Sequence, residues 1–311
     1  MGGRPDFMQQ AMPKTPLPGL AWEALAPLGV KSLYEPFAGL GANLYAFKRN
    51  GVRVLGSELL ESTTGASRAL NANNATRLSP EAIARFSAAT PPTLAAYPRF
   101  SPWVERHFFD EAQAAHLGYW REQLEALSGY ERDLALVAVA WMIDNWIKRL
   151  EQPGTPSASP SALSLYLKRA NQWVWDNGAS NDVRRGAPIA VAPSVQADAC
   201  YLYLEPPLVA IDLRSWLLEA WFQGEPEADL SAFYRDNPFY APADEYRQGV
   251  EALFASLQHI PIWAIQYRTE ELDALWGDHP SWLSGRELVA QQHLGMGEGA
   301  EGEMLLVAVH S

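Results

Sequence analysis

The stretch that decides the fold is LYEPFAGLGANLY, residues 33–45. Residues 32–37 are mainly apolar and aromatic, as in a buried strand, and residues 41–50 favour a helix. Between them stand Gly39 and Gly41, spaced G-x-G, which let the backbone turn tightly and pass close to a ligand at the helix N-terminus. The stretch therefore predicts a strand, a ligand-binding turn and a helix.

A second predicted strand, Val52–Glu58, follows and ends in GSE. An acidic side chain at the tip of the second strand is in position to accept hydrogen bonds from the two ribose hydroxyls of a nucleotide-like cofactor. Glu58 is therefore a candidate ribose ligand, and Glu35, at the end of the first strand, is a candidate ligand for a cationic or polar group. The third glycine of the dinucleotide fingerprint is missing, which argues against NAD or FAD.

Further strand-like runs alternate with helical ones along the chain, at 189–193, 200–204, 260–267 and 304–309. This alternation predicts an α/β fold with a mostly parallel sheet covered by helices on both faces. Helical periodicity at 110–127, 131–150 and 161–175 interrupts the pattern. We expect a Rossmann-like core at residues 1–74 and 188–311 and an inserted helical lobe at residues 75–187.

Composition limits the class of protein. The chain has 311 residues, of which 48% are hydrophobic and 19% charged, so it can bury a substantial core. No apolar run approaches the roughly 18 residues of a membrane span, and the N-terminus lacks the apolar segment of a secretory signal, so we expect a cytoplasmic protein with no membrane association. Cys200 is the only cysteine and the histidines lack ligand spacing, so no metal site is expected.

Charge is distributed unevenly. Residues 1–195 hold 19 Lys and Arg against 17 Asp and Glu, whereas residues 196–311 hold 5 against 19. The C-terminal third would repel a polyanion, which could approach only the rest of the chain. Basic pairs occur there at 48–49, 148–149, 168–169 and 184–185. These pairs either contact phosphates or are ordinary solvated surface charges.

The wording EPFAGLGA, residues 35–42, resembles the cofactor loop of the S-adenosylmethionine-dependent adenine-specific DNA methyltransferases, the family typified by bacterial DNA adenine methylase. Residues 106–121 resemble a helix of that family's target-recognition lobe, and residues 261–267 and 303–307 resemble its C-terminal strands. The resemblance, which covers about residues 31–309, implies a DNA-binding Rossmann-like core that takes S-adenosylmethionine (SAM). It also implies that Glu58 holds the ribose and that the methionine and sulfonium end is lined by Glu35, Pro36, Phe37, Ala38, Gly39 and Gly41.

The catalytic motif departs from the family. Members carry DPPY after the fourth strand, where this chain has EPPL, residues 205–208. In the family the adenine is flipped out of the duplex, the carboxylate and a proline carbonyl hold its amine, and the aromatic ring stacks on the base. The resemblance thus assigns Glu205 and Pro206 to the amine and Pro207 and Leu208 to the base pocket. The extra methylene of Glu205 shifts its oxygens, and Leu208 cannot stack as a ring does.

Three functions stay open. The protein transfers a methyl group to the exocyclic amine of adenine in DNA, or it is a catalytically inactive homologue that serves as a nucleic-acid or protein-binding subunit, possibly beside an active partner, or it methylates another amine substrate such as RNA or protein. The EPPL motif and the acidic C-terminal third favour the second function. So does the N-terminus, because residues 16–22, PLPGLAW, stand where the family usually has KWxGGK.

A second stretch, NPFY at residues 237–240, resembles the Asn variant of the catalytic motif. It lacks the second proline and follows a helical run instead of a strand. We therefore expect a loop there.

Overall fold

The computed structural model describes residues 18–87, 90–151, 157–204, 208, 210–268, 283, 285–293 and 303–310. The chain divides into two compact units. One, the sheet unit, takes its described residues from Pro13–Leu60, Asn177–Ala210 and Leu230–Ser311. The other, the helical unit, takes them from Glu61–Asp176 and Ile211–Asp229.

The described part of the sheet unit contains a seven-stranded sheet in the order β3-β2-β1-β4-β5-β7-β6. Strand β7 runs antiparallel to both of its neighbours, β5 and β6, and the pairs among β1 to β5 are parallel. The expected α/β class with a mostly parallel sheet is confirmed. The strands are β1 Ser32–Glu35, β2 Arg53–Glu58, β3 Asp182–Arg185, β4 Ala199–Leu204, β5 Ile262–Arg268, β6 Arg286–His293 and β7 Glu303–His310.

Strand β1 lies at the centre of the parallel part. Its Leu33 is paired with Val54 of β2 on one side and with Ala199 of β4 on the other. All three residues are fully buried, as expected for parallel strands covered on both faces. Strand order reverses between β1 and β4, so the segments that follow these two strands flank the topological switch point, where open α/β sheets bind ligands.

The described residues also form α-helices in both units. None of these helices is long and apolar enough to cross a membrane. The helices are α1 Pro18–Leu25, α2 Ala42–Arg49, α3 Glu61–Asn71, α4 Pro80–Arg85, α5 Ser101–Glu105, α6 Glu111–Glu125, α7 Gly129–Glu151, α8 Leu163–Gln172, α9 Pro188–Val191, α10 Leu213–Gln223, α11 Ser231–Asp236 and α12 Ala243–Ser256.

Helix α7 is the centre of the helical unit, as its sequence predicts. Residues 134–143 are all buried, and α3 and α8 pack against the helix. The rings of Trp120 and Trp146 stack with centroids 5.6 Å apart, which places these two tryptophans in the core. Helix α6 begins at a reciprocal cap, because the Asp110 carboxylate accepts the N–H of Gln113 and the Gln113 side chain accepts the N–H of Asp110.

Some elements differ from the sequence expectations. The strand predicted at 189–193 is wrong: Pro188 begins helix α9, and Pro193 lies in the following turn. Proline lacks the N–H that a sheet requires and is favoured in the first turn of a helix, which explains the difference. Strand β3 belongs to the sheet although it falls within residues 75–187, the expected insertion. Helices α3 and α10 belong to the helical unit although both fall within the expected core.

Candidate functional site

The loop after β1 makes the tight turn that the glycine spacing predicts. Gly39 and Gly41 have φ angles of 53° and 85°, a left-handed backbone conformation that residues other than glycine rarely adopt. Gly41 caps helix α2, and its N–H donates to the carbonyl of Ala38 at 2.8 Å. The two glycines thus bring the loop backbone around to the helix N-terminus.

Hydrogen bonds fasten this loop to the end of β2. The N–H of Ala38 donates to the Ser57 carbonyl at 3.0 Å, and the Ser57 hydroxyl donates to the Pro36 carbonyl at 2.6 Å. Because that proton is used, the Tyr34 hydroxyl, 2.7 Å from Ser57 Oγ, acts as donor to it. Ser57 is fully buried, and the sequence reasoning assigned it no role. A polar residue inside a buried strand was the available signal.

Glu58 lies beside the loop of residues 36–41, which we call the glycine turn. Only 6% of Glu58 is exposed. Its Oε2 accepts the N–H of Gly39 at 2.7 Å, and its Oε1 accepts the N–H of Leu59 at 2.8 Å. The structure therefore places this predicted ribose ligand at the tip of β2, next to the predicted cofactor loop. It also shows a second role, because the carboxylate holds the loop in place.

Glu35, the last residue of β1, is 3% exposed. Its Oε1 accepts a hydrogen bond from Asn43 at 2.8 Å, whereas its buried Oε2 has no hydrogen-bond partner among the described residues. Burial raises the pKa of Glu35 to about 8, opposed by the Asn43 hydrogen bond and reinforced by the negative charge of Glu58. A buried carboxyl oxygen without a partner is uncommon and marks a position that a ligand can satisfy.

Gly56 of β2 sets how closely helix α2 approaches the sheet. A Cβ atom at this position would lie 2.7 Å from Leu44 Cδ1 and 3.2 Å from the Ala38 Cβ. Both distances are too short for ordinary contact, so glycine is required for the present packing. The sequence reasoning did not assign this residue a role, although a glycine inside a strand signals such an approach.

The segment after β4 carries the predicted catalytic motif. Glu205, Pro206 and Pro207 lie outside the described residues. Leu208 is half-buried, packs against the apolar core of the sheet unit, and donates its N–H to the Phe239 carbonyl at 2.6 Å. Phe37, from the glycine turn, packs against the same core, and its ring centroid lies 4.9 Å from that of Phe239. Phe239 thus contacts both predicted parts of the site.

The basic pairs differ in their exposure. Lys48 is fully buried and is therefore not at the surface to meet a phosphate. Lys168 and Arg169 are exposed on α8. Arg184, at the end of β3, donates to Asp182 at 2.7 Å and to Ser194 at 3.0 Å. Several of these cations are thus already engaged within the protein.

Among the described residues, no group of three or more His, Cys, Asp or Glu side chains is arranged to hold a metal ion. No protein-family model matches the chain, and no curated protein matches it either.

Proposed function

We propose that the carboxyl edge of β1, β2 and β4 binds SAM and that the protein transfers its methyl group to the exocyclic amine of adenine in DNA. One observation carries the proposal: the glycine turn after β1 is fastened to β2 between two buried carboxyl groups, Glu35 and Glu58. The turn ends at the N-terminus of α2, and the positive end of a helix dipole favours an anionic group.

The residues present suit the parts of SAM. The molecule carries a cationic ammonium and sulfonium at one end and a ribose diol in the middle. Glu35 has a buried oxygen without a partner, which a cationic group would satisfy, and such a charge would favour ionisation of the carboxyl. Glu58 lies at the tip of β2, where its carboxylate can accept a hydrogen bond from a ribose hydroxyl. SAM would supply an activated methyl group to this edge of the sheet.

The sheet topology also supports the proposal. The order departs from that of dinucleotide-binding folds only by the antiparallel β7 between β5 and β6. A strand inserted in this way is typical of SAM-dependent methyltransferases. Leu204 ends β4 at the switch point, and Glu205 is the next residue along the chain. There its carboxylate would orient the adenine amine, and the Pro206 carbonyl would accept the second N–H.

A different observation favours the two other functions, which are a catalytically inactive binding subunit and an enzyme for another amine substrate. Residues 61–176 and 211–229, which form the helical unit, hold 12 Lys and Arg against 17 Asp and Glu. This unit is therefore not basic, although a DNA-recognition lobe is expected to carry positive charge. The small basic excess of residues 1–195 lies outside this unit, because residues 61–176 alone hold 11 Lys and Arg against 12 Asp and Glu.

Calorimetric titration with SAM and with its demethylated product tests the cofactor part of the proposal. We expect micromolar affinity that falls at least about tenfold in Glu58→Ala. The matched control is Glu287→Ala, which removes an exposed carboxylate from β6, the far edge strand. Absence of binding by folded wild-type protein, or equal weakening by the control, would contradict the proposed cofactor site.

Incorporation of labelled methyl groups into DNA, RNA and protein tests the substrate. We expect transfer to adenine in DNA, and we expect Glu205→Ala to abolish it while SAM affinity stays within about twofold. Transfer confined to RNA or protein would instead support an enzyme for another amine. Binding of SAM without transfer to any acceptor would support the inactive subunit.

A further inference from the structure

The NPFY stretch forms a rigid turn directly after helix α11. Pro238–Tyr240 is a single 3-10 turn, in which the Asn237 side chain accepts the N–H of Phe239 at 3.1 Å. The N–H of Tyr240 donates to the Asn237 carbonyl at 3.1 Å. Asn237 and Phe239 are buried, which anchors the turn in the sheet unit.

This turn contacts residues from the segments that follow β1 and β4. The Phe239 carbonyl accepts the N–H of Leu208, the residue that follows Glu205-Pro206-Pro207 along the chain. On its other side the Phe239 ring meets Phe37 of the glycine turn. Tyr240 is the next residue, and both it and Leu208 pack against the apolar core of the sheet unit.

Tyr240 is one of three aromatic residues in mutual contact. Its ring centroid lies 4.9 Å from that of Phe233 and 5.4 Å from that of Tyr234. Phe233 and Tyr234 are themselves 5.7 Å apart, in an edge-to-face arrangement. Phe233 and Tyr240 are half-buried and Tyr234 is 38% exposed, so the cluster presents aromatic surface to solvent. We call these three residues the aromatic triad.

We propose that the aromatic triad stacks on the purine ring of the substrate and so supplies the contact that Leu208 does not make. This inference rests on the proposed function, because it takes an adenine base as the occupant. Stacking on an aromatic face suits a base of any sequence context and requires no hydrogen-bond readout. It needs a partly exposed ring beside the acceptor segment, and α11 with its following turn supplies one.

Binding of labelled single-stranded oligodeoxyadenylate, followed by fluorescence anisotropy, tests the proposal against an abasic strand of equal length. We expect Tyr234→Leu and Tyr240→Leu each to weaken binding of the adenine strand by about 5- to 100-fold and to leave binding of the abasic strand nearly unchanged. Tyr234→Phe and Tyr240→Phe keep the ring and should bind within about twofold of wild type. Leu288→Ala, which removes an apolar side chain that is 45% exposed on β6, is the matched control.

A SAM titration and thermal unfolding of each variant separate the possible failures. Loss of adenine binding in the leucine variants, with unchanged SAM affinity and melting temperature, would support the inference. Equal loss in Leu288→Ala, no loss in either tyrosine variant, or no preference of wild type for the adenine strand would overturn it. Failure of wild type to bind SAM would count against the proposed function, whereas the stacking contact is measured on the oligonucleotide alone.

Discussion

The carboxylate of Glu58 accepts the backbone N–H of Gly39 at 2.7 Å, so the tip of β2 holds the glycine turn that follows β1. The two residues are 19 positions apart in the chain. Because the same carboxylate is the candidate ribose ligand, cofactor binding and the conformation of the turn are coupled through one side chain.

The first prediction concerns this bond. Glu58→Ala should lower the free energy of unfolding by about 1–3 kcal/mol, because the N–H of Gly39 loses a charged acceptor. Glu58→Gln retains an acceptor oxygen and should cost less. Urea unfolding of both variants measures the difference. Equal stability of wild type and Glu58→Ala would show that the bond contributes nothing to the turn.

The second prediction concerns the approach of α2 to β2. Gly56→Ala places a methyl group 2.7 Å from Leu44 Cδ1 and should destabilise the protein by about 1–3 kcal/mol through overpacking. It should also weaken SAM binding, because the Leu44 side chain and Ala38 of the glycine turn must give way to the methyl group. Gly51→Ala is the control: its Cβ meets open space, so only its φ of 83° adds cost, about 1 kcal/mol. Weakened SAM binding in Gly51→Ala alone would contradict this prediction.

The third prediction follows from the raised pKa of Glu35, about 8 compared with 4.5 for an ordinary Glu. Between these values the unfolded chain releases the proton while the folded protein retains it, so stability falls as pH rises. Relative to Glu35→Gln, the free energy of unfolding of wild type should fall by on the order of a few kcal/mol between pH 4.5 and 8. It should fall no further above pH 8. Denaturant unfolding across pH 4 to 9 measures this, and a constant difference between the two proteins would refute it.

The fourth prediction tests an ion pair in the helical unit between the buried Asp133 and Arg68, whose side chain is 42% exposed. The Asp133 side chain is 2% exposed and accepts bonds from Arg68 Nε at 2.6 Å and from an Arg68 terminal nitrogen at 2.9 Å. Burial raises the pKa of Asp133, and Arg68 opposes that increase. Arg68→Ala should therefore cost about 3 kcal/mol at neutral pH, with a smaller cost in acid, where Asp133 is protonated.

The double variant Arg68→Ala/Asp133→Asn is the control for this pair. It removes the uncompensated charge, so we expect it to recover part of the lost stability at neutral pH. Thermal unfolding at pH 5 and pH 8 compares the variants. If the double variant is less stable than Arg68→Ala at pH 8, the charge of Asp133 is not the source of the cost.

Local chemistry made the central part of the fold predictable. The strand, turn and helix at residues 33–45 follow from apolar residues and from two glycines that tolerate positive φ. Helices α6 and α7 follow from apolar periodicity over 15 and 23 residues. Strand β6 was not predicted, because it is an exposed edge strand without the apolar run of a buried one.

The candidate site likewise combines features that the local sequence predicts with contacts that depend on the whole fold. The sequence by itself determined that Glu35 and Glu58 end the first two strands and that Gly39 and Gly41 turn the chain after the first, because each statement depends on a few consecutive residues. Only the tertiary structure decided that the Ser57 hydroxyl donates to the Pro36 carbonyl and that Leu44 packs closely over Gly56. The tertiary structure also decided that Phe239 contacts both Leu208 and the glycine turn. Those contacts join segments distant along the chain, and which segments meet depends on the strand order of the whole sheet.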